Sequence, residues 1–220
     1  MQTEIKKTAD GSSTLFVPEL NEHYHSTHGA VRESMHVFIR MGLQAVSAGQ
    51  CSLLEIGFGT GLNALLSLLD AGSSKTMVYH AIDNYPLPWE QVEALNYSEH
   101  LGLNPGQTEK FRSMHEEDWG SERKITDHFI LTKEKVSLQE FVPEDEYDLV
   151  YFDAFAPDKQ PELWTEDIFR KMNGAIKANA MLVTYSAKGE VRRSMERAGF
   201  RVERLPGPPG KREMLRAMKP

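Results

Sequence analysis

Three glycines at alternate positions, Gly57, Gly59 and Gly61, and three carboxylates, Glu55, Asp83 and Asp153, are the residues whose type and spacing point to chemistry. The glycines follow a short apolar run, Leu53-Leu54-Glu55-Ile56, and precede leucines at helical spacing, Leu62, Leu65, Leu66 and Leu69. That order predicts strand, glycine turn, helix. Glycine permits a sharp turn and close approach of backbone to ligand, and the helix that follows offers unpaired N–H groups. A dinucleotide fingerprint needs G-x-G-x-x-G, but its third position here is Leu62. Asp83 lies 22 residues beyond Gly61, a spacing that suits an acid accepting hydrogen bonds from a ribose. Asp153 closes the uncharged run Leu149-Val150-Tyr151-Phe152, where a carboxylate at a strand end can face a crevice. The plainer alternatives are a ligand-free tight turn, a turn aspartate before Asn84, and a loop cap.

Such residues must be held by a sheet. Apolar periodicity predicts seven strands, at 53–56, 77–82, 127–132, 147–152, 180–186, 200–205 and about 212–217. Helices are expected at 29–48, 62–70, roughly 88–99, 136–142, 162–178 and 189–198, with a loop or short-helix insertion over 100–124. Residues 1–28 read as an N-terminal extension with a small hairpin around Thr14–Val17, and 29–220 as one domain. Alternating strands and helices imply an α/β fold, a mostly parallel seven-stranded sheet covered on both faces, with one antiparallel strand from the terminal hairpin. Ligands bind beyond the carboxyl ends of such strands. Glu55, Asp83, Asp153 and Ser186 all fall at predicted strand ends and should line one crevice.

Composition narrows the class. The chain is 40% hydrophobic and 26% charged, an ordinary globular balance. No apolar run approaches the ~20 residues of a membrane span, and the first residues lack a signal-peptide core. The single cysteine, Cys51, excludes an internal disulfide framework and fits a reducing cytosol, so a cytoplasmic location is expected. Its plain role is a small buried hydrophobe. His23, His25 and His28 have no acid or cysteine at metal-ligand spacing, so no metal is expected. Net charge is −7, yet residues 186–220 hold ten Lys/Arg against four acids, a net +6 that leaves −13 on residues 1–185. A basic end on an acidic body suits nucleic-acid phosphates; a solvated helix and edge-strand face is the alternative.

Glu55 with G-F-G-T-G resembles motif I of Rossmann-like class I S-adenosylmethionine (SAM) methyltransferases. The loop Asp153-Ala154-Phe155-Ala156-Pro157 is similar to the D/N-P-P-Y/F loop of amine-directed methyltransferases, without the first proline. Taken with F-G-T-G-L-N at 58–63, D-A-F-A-P-D-K-Q-P-E-L-W-T at 153–165, and the closing Ser186-Ala187, Val191-Arg192-Arg193, Ala198-Gly199-Phe200 and Lys211-Arg212-Glu213-Met214-Leu215, the chain from about 20 to 218 resembles the methyltransferase domain of the MnmC family. That resemblance implies SAM-dependent N-methylation of the aminomethyl group of 5-aminomethyl(-2-thio)uridine at the tRNA wobble position. It assigns SAM to Glu55 (near the methionine ammonium), Gly57, Phe58, Gly59, Thr60, Gly61, Asn63, Asp83, Asn84 and Asp153. It assigns the target amine to Asp153 and tRNA to Phe155, Pro157, Lys188, Arg192, Arg193, Lys211 and Arg212. A proton lost from the amine would leave to solvent or through Tyr24 or Tyr185. Larger members carry a flavin oxidoreductase domain. Because this chain stops at Pro220, the expectation is a stand-alone form whose substrate group another enzyme installs. Where the family has a G-D pair after the third strand, this chain reads Thr132-Lys133-Glu134-Lys135, and no residue is assigned to the adenine. The alternatives are a methyltransferase of small amines or proteins, which would act without tRNA, and a non-catalytic RNA-binding module, which would not bind SAM.

Overall fold

The computed structural model describes residues 2–116, 118–143 and 146–220. Three short strands come first: β1 (Glu4–Lys7), β2 (Ser13–Val17) and β3 (Glu22–His23), which form a small antiparallel sheet in the order β1-β2-β3. Helix α1 (Ala30–Ser34) continues as a π turn, Met35–Arg40, and a 3-10 turn, Leu43–Ala45. Then follow β4 (Gln50–Ile56), α2 (Leu62–Ala71), β5 (Thr76–Asp83), α3 (Trp89–Glu93), α4 (Tyr97–His100), α5 (Pro105–Glu116), β6 (Glu122–Thr126), β7 (Phe129–Lys135) and β8 (Tyr147–Phe152). After a 3-10 turn at Pro161–Leu163 come α6 (Glu166–Ala175), β9 (Ile176–Thr184), α7 (Gly189–Arg197), β10 (Arg201–Pro206) and β11 (Glu213–Met218).

The main sheet has the order β10-β11-β9-β8-β4-β5-β7-β6. Strands β9, β8, β4, β5 and β7 pair in parallel, while β11 and β6 run antiparallel to their neighbours. Alternation along each strand sends side chains to opposite faces. Cys51, Leu53, Tyr79, Leu149 and Tyr151 pack on one face with α2 and the Met35–Arg40 turn. Leu54, Ile56, Val150, Phe152 and Leu182 pack on the other with α6 and α7. Burial on both faces explains why β4 and β8 read as nearly continuous apolar runs. Cys51 is buried in the first cluster, where burial pushes its thiol up to about 12.

The seven expected strands are present, and the α/β class holds. An eighth, β6, begins at the end of the 100–124 stretch expected to be a loop or short-helix insertion, and the twelve-residue α5 lies inside it; residue 117 of that stretch lies outside the described residues. Phe111 and Met114 bury one side of α5 and anchor it to the core. Three helix expectations are corrected. Residues 136–142 form one turn, with the Phe141 N–H donating to Ser137 O at 2.9 Å, and no helix. The 162–178 helix is shorter, because Thr165 caps α6 through the Ile168 N–H and the chain becomes strand at Ile176, which pairs with Tyr147. The expected 88–99 helix breaks at Asn96, where φ is +57°.

Candidate active site

The glycine turn joins β4 to α2 at the carboxyl end of the sheet. At Gly57, φ is +87°, and a Cβ there would stand 2.8 Å from the carbonyl oxygen of Asp153. The Gly57 N–H donates to Ile82 O at 2.9 Å, and the Asp153 N–H to Ile56 O at 3.0 Å. Glycine is thus required here for β4, β5 and β8 to converge. The other two glycines also face protein. A Cβ on Gly59 would meet the Tyr24 ring at 3.2 Å, and one on Gly61 the His115 ring at 2.6 Å.

Two carboxylates share one amide. Asn63, at the start of α2, donates from Nδ2 to Glu55 Oε1 at 3.0 Å and to Asp153 Oδ2 at 2.8 Å. Glu55 is completely buried, and burial pushes it well above the usual carboxylate range. Asp153 is half-buried, and burial raises it to about 7, against the lowering pull of the Asn63 hydrogen bond. The loop after β8 is pinned by Tyr185 Oη donating to Ala154 O and Trp164 Nε1 donating to Phe155 O, both at 2.8 Å. Asp83 accepts from the backbone N–H of Gly59 at 2.8 Å and of Tyr85 at 2.7 Å. Burial raises its pKa and those bonds oppose the rise. Each oxygen keeps a lone pair for a ligand hydroxyl.

These strand ends open on a cavity of about 590 Å³. Gly57, Phe58, Gly59, Thr60, Asn63, Asp83, Asn84, Asp153, Phe155 and Lys211 line it, as expected of a binding crevice. Ser186, expected at the same crevice, is not on its lining, and neither are Gly61 and Pro157. Glu55, expected beside a methionine ammonium, is also off the lining, because its side chain points under the turn to Asn63. Two walls were not foreseen. Residues 22–27 with Glu33 close one side, and the loop at 136–139 after β7 closes another, where the sequence offered no adenine contact. Tyr24 meets Phe155 edge-on, with ring centroids 5.1 Å apart. Their separation of 131 positions leaves no local signal that they meet. The lining carries five acids, Glu22, Glu33, Asp83, Asp153 and Glu162, against a single lysine, Lys211. That field favours cationic ligands.

The basic end is largely self-neutralised. Lys188 pairs with Asp158, and Arg192 with Glu196 at 2.8 Å. Lys211 points inward, so it is not an open phosphate contact: its Nζ lies 2.6 Å from Glu33 and 4.1 Å from the Tyr185 ring centroid. Arg193 and Arg212 are exposed and make no ion pair among the described residues. No group of three or more His, Cys, Asp or Glu among the described residues could hold a metal. No helix among them is long and apolar enough to cross a membrane.

A family model described as S-adenosyl-L-methionine-dependent methyltransferase matches residues 113–220. The tRNA 5-methylaminomethyl-2-thiouridine biosynthesis bifunctional protein MnmC of Cupriavidus necator is 31% identical over 215 residues, covering 90% of this chain and 32% of that protein. The protein of the same name from Paracidovorax citrulli is 30% identical over 99% of this chain and 35% of its own length. The chain therefore spans about a third of the length of the curated relatives it matches. The crystal structure of MNMC2 from Aquifex aeolicus superposes with a TM-score of 0.76 at 26% identity, covering 98% of this chain and 70% of that one.

Proposed function

Because the chain belongs to the S-adenosyl-L-methionine-dependent methyltransferases, we propose that it N-methylates the aminomethyl group of 5-aminomethyl(-2-thio)uridine at the wobble position of tRNA. The relatives' printed role in 5-methylaminomethyl-2-thiouridine biosynthesis supports that substrate, as does the chemistry of the cavity. Its residues fit the cofactor. The volume is within the ~300–1,000 Å³ of small-molecule sites, Asp83 offers acceptor lone pairs to ribose hydroxyls, and the acidic lining suits a sulfonium. SAM supplies a methyl group already activated on sulfur, so the protein chiefly aligns and handles a proton.

The observation that carries the reading is Asp153, an amide-bridged carboxylate at a cavity-facing strand end with a pKa near 7. An alkylamine is mostly protonated at neutral pH and must present a lone pair. Asp153 takes the proton that the ammonium must lose first and aims the freed lone pair at the methyl; the N–C bond then forms as the S–C bond breaks, and the resulting secondary ammonium gives its proton to solvent. A base near neutrality suits that role. Asn63 fixes the carboxylate's direction. Tyr185 is a poor proton route because its hydroxyl is committed to Ala154 O. Tyr24 and Phe155 offer flat faces for the base, and of the five basic residues assigned to tRNA, Arg193 and Arg212 make no ion pair among the described residues and can meet phosphates.

Single-turnover methylation of tRNA bearing 5-aminomethyluridine tests the proposal. The wild type should convert it, and Asp153→Ala should slow transfer by about 10²-fold or more. Binding of S-adenosylhomocysteine should persist to within several-fold. Methylation of free small amines with no action on tRNA would refute the tRNA substrate.

A further inference from the structure

Glu33 is a buried carboxylate facing the cavity that the proposed chemistry does not use. Its side chain is 8% exposed, on α1, far in sequence from every strand-end acid. Oε1 accepts the Ser26 N–H at 3.0 Å, and Oε2 accepts Lys211 Nζ at 2.6 Å. Lys211 in turn lies over the Tyr185 ring, whose hydroxyl holds Ala154, the neighbour of Asp153. The pair therefore sits in one connected wall with the proposed acceptor site. His25, also 8% exposed and on the same lining, has an Nδ1 with no hydrogen-bond partner among the described residues. Burial pulls its pKa to about 4, so it adds no positive charge at neutral pH.

We propose that Glu33 is a specificity residue: with Asp153 it forms an alcove that takes an alkylamine and rejects an amine carrying a carboxylate. This rests on the reading of the acceptor as an amine. An ammonium entering the alcove meets two carboxylates and one already-paired lysine. A carboxylate entering it meets Glu33. Its nearest cation, Lys211, is available only if the Glu33 ion pair opens, which would leave Glu33 buried and unpaired. Because Glu33 already neutralises Lys211, the ligand's carboxylate is left with no free cation, and such an unpaired charge separates otherwise similar ligands.

Inhibition by modified tRNA is the test. One inhibitor carries the N-methyl product at the wobble uridine; the other carries N-carboxymethyl on the same amine. In the wild type the carboxymethyl form should inhibit at least about tenfold more weakly, the equivalent of 1.4 kcal/mol. Glu33→Gln frees Lys211 and should shrink that ratio by about tenfold. Adding Lys211→Met should abolish the gain. S-adenosylhomocysteine calorimetry reports whether each variant is folded. A wild-type ratio near one, or a ratio unmoved by Glu33→Gln in folded protein, overturns the proposal; should that variant not fold, the wild-type ratio alone decides. If the wild type methylates no tRNA, the substrate reading fails separately. Calorimetry on S-adenosylhomocysteine-loaded enzyme then compares benzylamine with N-benzylglycine. Preference for benzylamine supports the alcove, and equal binding or no benzylamine binding overturns it.

Discussion

Removing the Asn63 amide should move the acid limb of the methylation profile without removing the base. Asn63 donates to Asp153 Oδ2 at 2.8 Å, and that bond holds Asp153 down to about 7 against its burial. Hydrogen bonds to charged groups contribute about 1.5–3 kcal/mol. At 1.36 kcal/mol per unit, losing this one raises the Asp153 pKa by about one to two units. In Asn63→Ala the limb should therefore shift from about 7 to about 8–9. At pH 7 the rate should fall about five- to fiftyfold, and above the new limb it should return toward the wild-type plateau. Glu55 also loses its donor, which drives its pKa further in the direction burial already pushes it. The assay is single-turnover transfer to aminomethyl-bearing tRNA across pH 5.5–10, with enzyme and SAM saturating. Asp153→Ala, which should lack the limb, identifies the titrating group. A loss in Asn63→Ala that is equal at every pH, or a limb that does not move, would refute the assignment of Asp153 as proton acceptor.

Stability should show the same group with opposite benefit. The folded pKa of Asp153 is raised above its unfolded value, so between about pH 4 and 7 the native state holds more protons and stability falls as pH rises. Asp153→Asn should therefore melt higher than wild type at pH 8 and much the same at pH 4; an unchanged difference across that window counts against burial as the cause. Gly57→Ala places a Cβ 2.8 Å from the Asp153 carbonyl at φ +87°. It should lose SAM binding by calorimetry and more than about 1 kcal/mol of stability by denaturant titration. Replacing Arg193 and Arg212 with Ala should weaken tRNA binding and flatten its log–log salt slope by about two. Lys188→Ala and Arg192→Ala should do less, because each cation already has a carboxylate partner; equal effects from both pairs would place the footprint elsewhere.

The strands with the clearest signature in the sequence were those buried on both faces. Leu53–Ile56 and Leu149–Phe152 are apolar runs with no competing helical period, and both became central strands. Edge elements were harder. Glu122–Thr126 is charged and half solvated, so β6 carried no hydrophobic signature and is held by its ladder to β7. Leu138 and Phe141 gave 136–142 a helical appearance, but they bury from a single turn against the second core face. The 176–178 stretch has no breaker to end α6. What ends it is the pairing of Ile176 with Tyr147, a contact across 29 positions.

The site was legible to the extent that topology brings strand ends together. Asp83 ends β5 and Asp153 follows β8, the two strands that flank β4 in the parallel sheet, so both were bound to lie at one crevice. Glu55 shows the limit of that logic. It precedes the glycine turn in the expected place, yet alternation along β4 directs it under the turn, where it meets the cavity-lining Asn63. Lys211 shows the other limit. In a run of basic residues it reads as a phosphate contact, and what turns it inward is Glu33, 178 positions earlier. No local pattern encodes that pair. The wall built from residues 22–33 therefore adds something the strand ends alone cannot. They set where a methyl donor and an amine can meet, and the N-terminal wall sets which amines the charge of the cavity admits.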